Sequence, residues 1–304
     1  MYYLKKIFKM VFSIYLIGTI SFLLLELIPG DPALAILGLE SSPEDIAILR
    51  ENLGLNKSLG ERYFQWGKGV ILGDFGNSFK YGESVSNLIL ERLPLTLEIA
   101  ILTIIIVLGV SIPLSFIIHK LRNKRIKKVI DFIIGLCISI PSFWLGIISM
   151  FIFSVILRWF SVGYNNTLYS LLLSCIVIAI PNIGVFTSYI KNNLEIELRE
   201  EYIKYLFVNG VKKFWLNIYI LKNSIIPVIP LIGIMLIDLI TGVVIIEQIF
   251  SIPGIGRLMI TAVINRDLPL VQGLIFYTSV VLVVINFMID ILYSIVDPRI
   301  RSER

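Results

Sequence analysis

Six runs of apolar residues, each at or above the roughly 20 residues a bilayer-spanning helix needs, constrain this chain more than any other feature. They lie at about 7–28, 97–118, 129–157, 168–190, 225–249 and 274–296. Hydrocarbon offers the backbone no partners, so each N–H and C=O must be satisfied within its own segment, and runs of this length fold as helices. The pattern predicts an all-α, polytopic membrane protein with six transmembrane helices and a short helical extracytoplasmic segment after the first. With 57% of its 304 residues hydrophobic and 16% charged, the chain is far from a soluble composition. Lys5, Lys6 and Lys9 ahead of the first run imitate a signal peptide. Met10 to Ile28 is nevertheless long enough to span, and no small-residue cleavage site follows it, which predicts a retained helix.

An even number of spans places both ends on one side. Lys5, Lys6 and Lys9, the cluster from Lys120 to Lys128, the loop from Lys191 to Lys222, and Arg299, Arg301 and Arg304 all fall on that side, which the positive-inside rule makes cytoplasmic. The net charge of +5 therefore reads as membrane flanks, and nucleic acid is not an expected partner. The expected organisation is 1–28 as cytoplasmic N-terminus and first span, and 29–96 as an extracytoplasmic helical segment. Residues 97–304 then form a five-helix membrane core with a cytoplasmic loop at about 191–224. In the outer segment Ser42-Pro43-Glu44-Asp45 signals a helix start, with Ile46, Leu49 and Leu53 at helical spacing up to Gly54. A second helix is expected over Leu59 to Val70 and a tight turn over Gly73 to Gly82. Together they predict a cap over the outer mouth, either a receiving face or a purely structural lid.

Inside the spans, Pro113, Pro141 and Pro181 each remove a backbone hydrogen bond and predict bent or broken helices. Asp238 is the most deeply placed ionisable residue, midway along the fifth run and followed by Thr241 and Gly242. Such a group costs about 2.5–3.5 kcal/mol near a helix centre and faces the bundle or a watery cavity. Asp238 is therefore a candidate cation contact, with a hydrogen bond to a neighbouring helix as the alternative. Nothing here assembles catalysis: the chain has no HExxH pair, no serine with a usable histidine base and no cysteine–histidine cluster, so an enzyme is not expected. Cys137 and Cys175 each lie within an apolar run as packing residues. A GxxxxGK[ST] loop is also missing, so the chain cannot cradle ATP by itself.

The segment from Glu200 to Pro227 joins two apolar runs, too polar for lipid and too apolar for an idle tether. Glu200, Glu201, Lys204, Lys212, Lys213 and Lys222 are set among Tyr202, Leu206, Phe207, Val211, Phe214 and Trp215. The spacing predicts a short helix ending at Gly210, then a second helix leading into the membrane. This is a docking site or an amphipathic connector on the lipid surface.

Glu201-Tyr202-Ile203-Lys204, then Gly210, then Leu221-Lys222-Asn223-Ser224-Ile225-Ile226-Pro227 resembles the cytoplasmic signature loop of ABC importer permeases of the dipeptide, oligopeptide and nickel type. The resemblance extends to Pro29-Gly30-Asp31-Pro32, Gly73-Asp74-Phe75-Gly76-Asn77-Ser78, Leu93-Pro94-Leu95-Thr96-Leu97-Glu98, and Ile140-Pro141-Ser142-Phe143-Trp144. It continues through Glu247-Gln248-Ile249-Phe250, Pro253-Gly254-Ile255-Gly256-Arg257, Arg266-Asp267 with Pro269, and Asp297-Pro298-Arg299. Leu206 and Phe207 depart from it, standing where the family has a small residue and a basic one. The resemblance implies a plasma-membrane permease subunit working with a second homologous permease, two ATP-binding subunits that hydrolyse ATP, and an extracytoplasmic substrate-binding protein. It implies no cofactor in this chain and a coupling loop at Glu201, Tyr202, Gly210 and Pro227, with Leu206 placed in it by position, while the depth of Asp238 ahead of Thr241 and Gly242 predicts a translocation path at those three residues. The Ile237 to Gly242 stretch and the brief connection from Arg158 to Thr167 lean toward nickel or a small metal complex, with peptide as the alternative. A membrane scaffold or receptor that moves nothing is the competing class.

Overall fold

Proline and the residue before it decide where the third apolar run stops being one helix. In the computed structural model, which describes residues 2–27, 32–37, 42–52 and 54–296, five helices are long and apolar enough to cross a membrane. A sixth crossing results if the third run, bent by 93° at its break, counts as one span. Ile140 adopts an extended backbone (φ −84°, ψ 124°), as residues before proline do, and Pro141 has no N–H to carry the helix on. Pro113 and Pro181 lie within unbroken helices. Pro181 leaves the Val177 carbonyl without its amide partner, and one residue on Asn182 Nδ2 donates to the Ile178 carbonyl at 2.9 Å. Pro29, Gly30, Asp31, Leu53, Asp297, Pro298, Arg299, Arg301 and Arg304 lie outside the described residues.

The chain packs as two units. The first comprises Met1–Thr96 with Pro253–Val284. It holds α1 (Tyr2–Glu26), α2 (Pro32–Leu37), α3 (Pro43–Asn52), α4 (Leu59–Leu72) and the first turns of α5 (Val85–Lys120). The second comprises Leu97–Ile252 with Ile285–Arg304. It holds the rest of α5, α6 (Lys124–Ser139), α7 (Ser142–Ser149), a π-helical stretch Met150–Ile156, α8 (Leu168–Glu197), α9 (Glu201–Val208), α10 (Lys213–Ile225), α11 (Ile229–Gly242) and α12 (Val244–Ile249). α13 (Ile255–Ile264) and α14 (Leu268–Val296) complete the chain, the former wholly and the latter mostly within the first unit. Helix α5 starts at Val85, so the end of the expected outer segment is continuous with the second span. Residues 253–284 pack with the first unit.

In the first unit, Val85, Leu88 and Ile89 of α5 pack on Ile255, Leu258 and Ala262 of α13 and on Leu270, Val271 and Leu274 of α14. Two buried polar contacts set that packing. Thr96 Oγ1 accepts the Ile255 N–H at 3.0 Å. Asp267 is fully buried and accepts from Ser78 Oγ and from the backbone N–H groups of Lys80 and Leu270. Leaving such a donor unmet costs about 1–3 kcal/mol, which pins the Ser78 turn to the start of α14.

Helix α4 is delimited by sequence-local chemistry. Ser58 and Glu61 form a capping box, and Gly73 closes the helix in the left-handed conformation (φ 74°). It seats on α1 through Phe22, Tyr63 and Trp66, whose ring centroids lie 5.3–6.0 Å apart, and through an Arg62–Glu26 ion pair at 2.6 Å. The turn from Gly73 folds back on it, with the Asp74 N–H donating to the Gly69 carbonyl at 2.8 Å.

Candidate functional site

Two features of the second unit lie on one stretch of chain. The first is the loop of α9 and α10. Helix α9 ends in a full Schellman arrangement: Gly210 is left-handed (φ 73°), its N–H donates to the Phe207 carbonyl at 3.1 Å, and the Val211 N–H reaches the Leu206 carbonyl at 3.2 Å. The glycine is required by backbone conformation alone, since a Cβ added there would meet nothing within 4 Å.

At the root of the loop, Tyr202 donates its hydroxyl to Glu197 Oε1, and Asn223 Nδ2 contacts both, at 2.7 Å from Tyr202 and 2.9 Å from Glu197. These three side chains tie the end of α8 to α9 and α10. Burial and the hydrogen bond to the Glu197 carboxylate push the Tyr202 phenol up to about 12, so it stays a neutral donor throughout the physiological range. Asn193 Nδ2 adds a further tie from α8 to the Ser224 carbonyl at 3.2 Å.

On the loop's outer face Tyr205, Phe207, Val208, Phe214 and Trp215 are all more than half exposed, with Val208 at 82%. Single exposed apolar residues are ordinary, whereas such a set on one loop, with lysines beside it, marks a contact with a protein or with the membrane surface. Glu201 is exposed at the first turn of α9 and Leu206 is half-buried. Pro227 stands apart from the docking face, in a 3₁₀ turn over Ile226–Val228 that joins α10 to α11.

The second feature is a cleft of about 390 Å³ lined by Asp238 and Leu239 of α11, Pro141 and Ser142 at the break of the third span, and Pro181 and Asn182 of α8. Val243 and Ile246 close it where α11 gives way to α12. The two prolines and the carboxyl, widely separated in sequence, thus converge. Gly184 allows the approach of α6 to α8, because a Cβ there would come within 2.8 Å of Ile138 Cγ1 and 3.2 Å of the Ile134 carbonyl oxygen.

Thr241 does not offer its hydroxyl to the cleft; Oγ1 donates to the Ile237 carbonyl at 2.7 Å. Gly242 closes α11. Asn182 and Ser142 escaped the sequence reading because it scanned the spans for ionisable groups only. An amide directly after a mid-span proline was the available signal. Among the described residues no group of three or more His, Cys, Asp or Glu side chains could hold a metal ion, and Asp238 is the one acidic side chain among those lining the cleft.

Helices α10 and α11 connect the two features. Lys213–Thr241 is one candidate span of 29 residues, and the 25 residues from Lys213 to Asp238 cover about 38 Å at 1.5 Å per residue. The loop and the cleft thus lie on the two ends of one candidate span, interrupted by the 3₁₀ turn at Ile226–Val228.

Known proteins resemble this chain over nearly its whole length. A family model described as binding-protein-dependent transport system inner membrane component matches residues 111–302, and its N-terminal companion matches residues 1–100. A "Putative peptide transport system permease protein" of Brucella abortus (strain 2308) is 35% identical over 99% of this chain and 98% of its own. A "Probable peptide ABC transporter permease protein" of Sinorhizobium fredii is 31% identical over 99% of both chains. The "Nickel import system permease protein NikB" of Staphylococcus aureus (strain MRSA252) is 33% identical over 99% of this chain and 92% of its own.

Proposed function

The chain belongs to the family of binding-protein-dependent transport system inner membrane components, and from that premise we propose that it carries nickel or a small metal complex past Asp238. It is a permease subunit of an ATP-binding-cassette importer of the peptide/nickel type, a multi-pass membrane protein and a transporter rather than an enzyme. Such a permease works within a system that includes ATPase subunits.

The observation that carries the reading is the cleft itself, where one carboxyl faces an otherwise largely apolar hollow at the breaks of two helices. A single oxygen donor group holds a passing cation weakly, which suits translocation better than storage. ATP is hydrolysed by two partner subunits that dock on α9 and α10, their closure shifting the loop as a body and tilting α11 with it. A second, homologous permease completes the path, and an extracytoplasmic binding protein delivers the substrate. The second reading is a dipeptide or oligopeptide as cargo, favoured by the names of the Brucella and Sinorhizobium relatives.

ATP-driven uptake of radioactive nickel and of a labelled dipeptide into proteoliposomes carrying the full transporter separates these. Nickel accumulation supports the first reading, dipeptide accumulation without nickel transfers the function to the second, and accumulation of neither overturns both cargoes.

The lysine and arginine asymmetry further supports a cytoplasmic position for both termini and for Gly210, with Gly60 outside. Single cysteines at 60 and 210 should be labelled by an impermeant maleimide only at 60 in intact cells. Labelling at 210 from outside would reverse the proposed orientation.

A further inference from the structure

Within the first unit, a hollow of about 280 Å³ is lined by Lys80, Arg92 and Arg257 together with Tyr81, Gly254 and Thr261. Its charge is one-sided: three cationic side chains line it and no acidic one does among the described residues. Asp267, which anchors the Lys80 turn, has its carboxylate engaged by Ser78 and by the N–H groups of Lys80 and Leu270. Arg92 carries a second mark. Its Nε is buried and makes no hydrogen bond, in a protein interior where buried donors are nearly always partnered.

The hollow also sits at the start of α13, ten residues long, whose N-cap Gly254 offers no side chain and whose first turn holds no acid, its first N–H being taken by Thr96 Oγ1. A helix N-terminus adds a fixed positive field to that of the side chains. Lys80 and Arg92 bring like charges to one small hollow, and an anion placed between them is attracted to both. Guanidinium groups offer the planar fork that carboxylate and phosphate oxygens fit. At about 30 Å³ per water the space equals roughly nine waters, enough for such a group with part of its hydration.

We propose that this hollow is an oxyanion site, taking a phosphate group. The site is independent of which cargo passes Asp238. Its oxyanion is either a free solute or the phosphate of an anionic lipid headgroup, and one experiment distinguishes them.

The complete transporter is purified in phosphatidylcholine nanodiscs and titrated calorimetrically with inorganic phosphate. A parallel sample in phosphatidylglycerol nanodiscs is released into the mass spectrometer to read retained lipid. Saturable phosphate binding that weakens about tenfold in Arg92→Gln and in Lys80→Gln, the scale of one lost charged hydrogen bond, supports a free anion. Arg92→Lys should keep part of the affinity. Phosphatidylglycerol retained by the wild type and lost from the variants, with no phosphate binding, supports the lipid source.

Lys80 is exposed, so its variant decides the matter even where Arg92→Gln does not assemble. Binding of neither probe, or equal binding by wild type and variants, overturns the site. Loss of affinity for the extracytoplasmic binding protein in the variants, with neither probe bound, also overturns it, in favour of a protein carboxylate.

Discussion

Replacing Gly210 with valine should cut ATP-driven uptake by about tenfold or more while the chain still inserts in the membrane. Gly210 is left-handed at φ 73°, a conformation that costs an L-residue roughly 1–2 kcal/mol and a β-branched one more. An equilibrium biased by that much shifts about tenfold away from the docking geometry. Space is not the cause, since a Cβ at 210 meets nothing within 4 Å. The strain is relieved by unwinding the end of α9, which releases the Val211 and Gly210 hydrogen bonds and turns Phe207 and Val208 away from the partner surface. Gly210→Asn separates backbone from side chain, because asparagine tolerates the left-handed region and should retain much of the uptake. The measurements are uptake normalised to transporter in the membrane and the amount of ATPase that co-purifies. Normal uptake by Gly210→Val, or an asparagine variant as poor as the valine one, would remove the loop from the coupling role.

Nickel uptake should fall by more than about tenfold in Asp238→Asn, with the assembled complex still present at wild-type level. A unit charge about 4 Å from a cation in surroundings of effective dielectric near 20 contributes on the order of 4 kcal/mol, and the amide supplies none of it. The alternative role, a hydrogen bond between helices, predicts a different result: asparagine fits the same volume, still bonds, and transport continues. Dipeptide uptake measured beside nickel distinguishes a cation contact from a blocked passage, since only a blocked passage lowers both. Nickel uptake unchanged in the asparagine variant would end the cation role of Asp238. The cleft's geometry also says why nearby changes should be felt less. Thr241 has committed its hydroxyl to its own helix at Ile237, so Thr241→Val should disturb the cargo little.

These two residues differ in how far they could be read from sequence. Gly210 was legible as a helix stop because the signal is local: apolar residues at helical spacing, a residue free to take positive φ, then lysines. Asp238 was legible as an expensive group in an apolar run, but not as one wall of a cleft. Its companions Pro141, Ser142, Pro181 and Asn182 come from 50 to 100 residues earlier, and nothing in hydropathy ranks one distant pair above another. The Glu197, Tyr202 and Asn223 cluster was missed for the same reason, although each residue lay in or beside the loop already singled out.

Sequence alone determined the all-α character, the apolar runs that can cross a membrane, the start and stop of α4 and the end of α9. Each follows from a few consecutive residues obeying one rule: backbone satisfaction in hydrocarbon, a capping box, or a glycine at positive φ. Tertiary structure decided the rest. It turned the third run through 93°, though the same kind of residue left α5 and α8 continuous at Pro113 and Pro181. It set α13 and the start of α14 against Val85, Leu88 and Ile89, nearly 170 residues away along the chain. The physical reason is that hydrogen bonds along a helix are made within four residues, whereas burial, shape and the pairing of polar groups between helices are settled only when distant segments meet.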